Sequence, residues 1–133
     1  MTSPAAIIAA GRALAESLML DTCTVKRPSA ETTIDPDTGL PTTTWSTIYT
    51  GKCKIQSESV QSLNPKSGDH VYTVDRWEVH LPVSATGVKV GDVVEITASP
   101  LDSVNVGRKF SVSGLFRKTL ATAQRLPVEE VVG

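Results

Sequence analysis

The chain has 133 residues, with 14 Asp and Glu against 13 Lys and Arg. One domain of this length buries roughly two thirds of its unfolded surface, so the core needs no metal or disulfide. A formal net charge of -1 gives no whole-molecule field to draw in nucleic acid or an anionic membrane.

From the N-terminus, Ser3-Pro4 predicts a helix, with Ser as N-cap and Pro in the first turn, running to about Leu20. Ile7, Ile8, Leu14, Ala15, Leu18 and Met19 share one face at the helical period. A stretch of ~17 residues carrying Arg12 and Glu16 is unsuited to spanning a bilayer. With its first basic residue inside the apolar run, it also lacks the order of a signal peptide. Such a stripe serves either to pack the helix on its own sheet or to dock it against a neighbouring subunit.

Period-two alternation follows. Cys23–Lys26 reads as a short strand ended by Pro28, and Ser29–Thr44 as a long hairpin loop turning at Asp35-Pro36-Asp37-Thr38-Gly39. Its second arm begins at Trp45 and runs through Tyr49, and Thr50-Gly51 reads as a turn into a strand Lys52–Gln56. A second long loop is expected at Ser57, Glu58, Ser59, Val60, Gln61, Ser62, Leu63, Asn64, Pro65, Lys66, Ser67, Gly68, Asp69 and His70, where no period is sustained. Val71–Leu81 is the longest expected strand. Val93–Ala98 and Lys109–Phe116 form a central pair, entered through Gly91-Asp92 and Gly107-Arg108, with a bulge at Gly114. Thr119–Val131 closes the list. The fold class is therefore mainly β: a small antiparallel barrel or sandwich of about seven strands, with one N-terminal helix (3–20) and two long loops, in a single domain spanning 1–133.

Chemistry is sparse. Cys23 and Cys53 fall on the apolar phase, which predicts buried free thiols. With two His and no CxxC or HxxxH, no metal or cofactor is expected. Asp35 and Asp37 lack the further ligands of a calcium loop. His80, Asp92 and Glu95 read as solvated, and nucleophile and phosphate-loop signatures are missing. The expectation is a protein that is not an enzyme.

Several runs in their order, SPAAIIAAGRALAESLMLDTCTVKRP, DPDTGLPT, IYTGKCKIQ, RWEVHLPVSA, VGDVVEIT, VGRKFSV and QRLPVEEVVG, together resemble phage head-tail connector proteins. The narrower resemblance is to the head-completion or stopper proteins of long-tailed phages of actinobacteria. It covers nearly the whole chain and rests on structural residues rather than a catalytic signature. It implies a homo-oligomeric ring in the virion neck, made in the host cytoplasm, between a portal-side adaptor and a tail terminator or tail tube protein. Genomic DNA would pass through the lumen without sequence-specific binding, and no membrane is involved. It also implies a loop that projects into the channel, for which the 57–70 segment is the candidate, with 29–44 as the alternative. Candidate interface residues are Ile7, Ile8, Leu14, Leu18, Asp35, Asp37, Trp45 and Tyr72, with Leu115 as a further outward residue. Two other readings stay open: a tail terminator, and a small β-barrel that binds nucleic acid through Arg108, Lys109, Arg117 and Lys118.

Overall fold

The computed structural model describes residues 3–63, 71–115 and 119–131, and of residues 30–32, 58–63 and 71–75 it describes the backbone alone. Helix α1 spans Pro4–Ser17, and the Oγ of Ser3 accepts a hydrogen bond from the Ala6 amide at 3.2 Å, capping its first turn. The helix stops short of the expected Leu20 because Leu18 serves as its C-cap and Met19 turns into the protein, 5% exposed.

Six strands follow among the described residues: β1 Asp21–Ile34, β2 Pro41–Leu63, β3 Val71–Leu81, β4 Val93–Ala98, β5 Lys109–Val112 and β6 Gln124–Glu130. All pair antiparallel and close into a barrel in the order β1-β2-β3-β6-β5-β4, with β4 returning to β1. Alternation sends one row inward: Cys23 and Val25, Cys53, Val79 and Leu81, Val94 and Ile96, Phe110 and Val112, and Leu126 and Val128, all 5% exposed or less. Cys23 and Cys53 are free and fully buried. Ala85 and Val88, from the connection between β3 and β4, join the same cluster.

Several boundaries differ from the sequence expectations. Thr50-Gly51 is no turn: β2 runs straight through it, paired with Cys23 and Thr24. Gly51 is there for space, since a Cβ at that position would come 2.7 Å from the Tyr49 hydroxyl, which donates to the Lys52 carbonyl. Pro28 does not end β1, because the strand resumes its pairing with β2 from Thr32 to Ile34 after an irregularity. The loop expected at 29–44 is therefore a two-stranded arm with a tight turn. Likewise Ser57–Leu63 is strand, paired in register with Val71–Trp77; Asn64 to His70 lie outside the described residues. In the first arm the polar strands show no apolar period because their described side chains are exposed on both faces. At the other end of the chain, β5 stops at Val112, so Gly114 lies beyond the strand instead of forming a bulge within it; Phe116 is outside the described residues. The last strand begins at Gln124. Gly91 and Gly107 do take positive φ, 94° and 89°, as expected of the turns before β4 and β5.

The register orients the molecule. β1 enters the barrel at one end, the near end, with Asp21 opposite Cys53, and leaves by the far end beyond Arg27. The paired arm of β1 and β2 therefore extends past the far end, and the arm of β2 and β3 extends past the near end beyond Ser57 and Trp77. Two hairpin extensions leave opposite ends of one closed barrel.

Candidate functional site

Each barrel end is tied by an arginine and a carboxylate. At the far end Asp92 is only 1% exposed, although it follows a turn glycine. Arg27 donates to its carboxylate from Nε at 2.8 Å and from a terminal nitrogen at 3.0 Å, and the Lys89 amide donates at 2.8 Å. The same guanidinium reaches the Gly87 carbonyl at 2.8 Å. Asp92 is thus a structural clasp between β1 and the turn before β4, which corrects its reading as a solvated residue. The fork-to-carboxylate geometry explains its burial, since a buried charge persists only when paired and hydrogen-bonded.

At the near end Arg108 donates to both Glu130 oxygens, at 2.9 and 2.8 Å, and to Asn105 Oδ1 at 3.0 Å. Its guanidinium lies 4.3 Å from the centre of the Trp77 ring, and Trp77 in turn packs against Phe110 with ring centres 5.7 Å apart. The pairing with Arg108 holds the Glu130 carboxyl below its ordinary pKa. Arg108 is therefore already engaged, which removes it from a nucleic-acid strip; Arg117 and Lys118 lie outside the described residues. Beside this end, Leu101, Val104 and Val106 stand exposed on the connection between β4 and β5.

Helix α1 lies along the outer wall, held by Arg12 Nε donating to the Ala121 carbonyl at 2.9 Å and by a Glu16–Lys52 ion pair at 3.0 Å. Both of its charged residues are used on that side. Its outer face is left to Ile7 and Leu14, which are 57% and 65% exposed, while Leu18, 55% exposed, stands at the edge of the helix and also borders the barrel wall. Ile8 is half-buried on the barrel side, so the expected single stripe is split between two directions. Among the other candidate interface residues, Trp45 is half exposed beside a shallow groove of about 290 Å³ that Lys26, Val93 and Lys109 also line, on the wall away from α1. Leu115 is exposed. Asp35 instead holds the arm's turn, accepting from the Asp37 amide at 2.9 Å, and Asp37 is exposed. The Tyr72 side chain lies outside the description.

His80 is also corrected. Its side chain is 12% exposed, because α1 covers the row that it occupies. Burial is the main cause lowering its pKa, so at neutral pH the ring is neutral and donates from Nε2 to Glu78 at 3.2 Å. Among the described residues no group of three or more His, Cys, Asp and Glu is placed to hold a metal, and no helix is long and apolar enough to cross a membrane. The clasps at Asp92 and Arg108 escaped sequence reasoning because their partners lie 65 and 22 residues away. No local spacing signals them.

No curated protein matches the chain at a significant level. The solution structure of protein SF1141 from Shigella flexneri 2a is similar, with a TM-score of 0.51 at 15% sequence identity over 83% of this chain and 90% of that one. At that identity the likeness speaks for the fold alone. The sequence match is closer in kind: the family of unknown function DUF6093 covers residues 11–129, from within α1 to β6, and the chain belongs to that family.

Proposed function

We propose that the protein is a structural subunit of a phage neck, a head-completion or stopper protein that assembles into a homo-oligomeric ring between the portal-side adaptor and the tail. The observation that carries this reading is the pair of hairpin arms leaving opposite ends of a closed barrel. A subunit that must touch one ring above and another below, or reach into a lumen, needs contact elements at both ends of a rigid body. The exposed apolar outer face of α1 and the half-exposed Trp45 on another wall supply unlike patches, as a heterologous ring interface requires. A net charge of -1 suits a channel through which DNA passes without being held by phosphate contacts.

The test uses the purified full-length chain and the virions of a phage that encodes it. Native mass spectrometry and electron microscopy should show closed rings, free or on addition of the adaptor-bearing heads. Shortening the arm between β2 and β3 should yield filled particles that leak DNA or lack tails. A tail terminator would instead remain with the tails when heads and tails are separated. A protein absent from purified virions would overturn both.

A further inference from the structure

A cavity of about 250 Å³ lies between α1 and the outer barrel wall. Its barrel side is a row built by strand register: Lys54 on β2 pairs with His80 on β3, and His80 pairs with Arg125 on β6. The neutral His80 thus stands between the two cations, whose backbones lie two strand spacings, about 10 Å, apart. Among the described residues neither Lys54 nor Arg125 forms an ion pair or side-chain hydrogen bond. The one acid lining the space, Glu78, accepts from His80. The opposite wall is aliphatic, formed by Ala15 of α1 and by Leu18 and Met19 just after it.

We infer that this cavity binds a short-chain aliphatic carboxylate, its carboxylate held by Lys54 and Arg125 and its stem lying against Ala15, Leu18 and Met19. Two unpaired cations converging on one space create a local excess of positive charge that an anion relieves. Arginine's planar fork matches a carboxylate in a bidentate pair. Donors stand on one wall only, so a tetrahedral phosphate would leave oxygens facing hydrocarbon, whereas a carboxylate with an alkyl chain satisfies both walls. At about 30 Å³ per water-sized unit, the volume holds about eight heavy atoms, the size of hexanoate, and the shorter butyrate fills it less completely. Because both cations retain contact with solvent, screening keeps the affinity modest.

Protonation of His80 adds a third positive group to the row. Glu78 favours its charged form while Arg125, Lys54 and burial oppose it, and α1 brings no charged side chain to the cavity lining. A bound carboxylate adds to the favourable side, so binding tightens as the pH falls from 8 towards 5.5, above the range in which the ligand itself protonates.

The experiment is a titration of the ¹⁵N-labelled full-length chain with sodium hexanoate, butyrate or phosphate at constant ionic strength, followed by amide shifts. Saturable shifts at residues 54, 80 and 125 in the millimolar range are expected with hexanoate, weaker with butyrate and weaker still with phosphate. Arg125→Gln and Lys54→Gln should each weaken hexanoate binding about tenfold while leaving the spectrum of the free protein folded, and His80→Gln should remove the pH dependence. Shifts that stay linear with concentration, hexanoate binding indifferent to Arg125→Gln, or phosphate saturating the site more tightly than hexanoate would each overturn the assignment.

Discussion

Phe110 carries the largest fully buried side chain of the barrel and stacks obliquely against Trp77, which is itself capped by Arg108. Truncating it removes that contact and leaves a cavity where β4, β5 and β6 meet, so Phe110→Ala should cost about 3–5 kcal/mol. Typical domains have about 5–15 kcal/mol in total. Urea unfolding reads this directly, and a midpoint unchanged from the parent would mean that Phe110 is not in the core. Asp92→Ala has a different cause. It strands the Lys89 amide and takes the partner from Arg27, whose side chain is 33% exposed and can rehydrate. The expected loss is therefore that of a few charged hydrogen bonds, about 2–3 kcal/mol, and not the larger cost of stranding a fully buried charge. A loss near zero would place Asp92 in water after all.

The elements divide into a barrel that carries the stability and extensions that do not. From Pro28 to Ser46 every residue whose side chain is described, apart from Asp35, is exposed, and the arm's contacts are backbone pairing and threonine hydroxyls such as Thr33 with Thr42 at 3.1 Å. Excising the arm and joining β1 to β2 by a short turn just past Arg27 and Ser46 should leave the thermal midpoint within a few degrees, because closing a shorter loop changes the free energy by less than about 1 kcal/mol. Loss of the cooperative transition would show that the arm belongs to the core. Helix α1 is the counterpart on the side wall. Ile7→Glu together with Leu14→Glu alters its exposed face and not its barrel contacts, so the variant should stay folded by circular dichroism while losing any ring formed by the parent. Rings of undiminished mass in native mass spectrometry would discard α1 as an interface.

For the whole molecule, two titrations set the pH response in the same sense. Glu130 has a lowered pKa in the folded state, chiefly through its hydrogen bonds to Arg108. Its contribution is present above the ordinary carboxylate range and is lost as the pH falls through the depressed value. His80 is also lowered, chiefly by burial. The unfolded chain therefore binds its proton first, and stability is complete above about pH 6.5 and declines below it. Urea midpoints should fall from pH 7.5 to pH 5.5, with His80→Gln flattening that step, whereas Glu130→Gln should lower the midpoint at both of these pH values and flatten the decline only at more acid pH. A midpoint that rises on acidification over the first interval would contradict the buried, neutral state of His80.

Much of the barrel was legible from residue order alone. Alternation in 93–98, in 109–112 and through 77–81 is local, and a period of two declares which residues turn inward wherever one face is buried. The helix start at Ser3-Pro4 and the turn glycines Gly91 and Gly107 are equally local, since capping and positive φ are properties of a few consecutive residues. The stretches 29–44 and 57–63 were read as loops because their mixed polar sequence has no apolar period, and in the first of them the described side chains are exposed on both faces apart from Asp35. Partners distant in sequence were likewise out of reach. The Arg27–Asp92 and Arg108–Glu130 clasps, the burial of His80 under α1, and the alignment of Lys54 with Arg125 all depend on which strands become neighbours and in what register. Barrel closure decides these, because only the completed ring brings β4 back to β1 and sets β6 between β3 and β5.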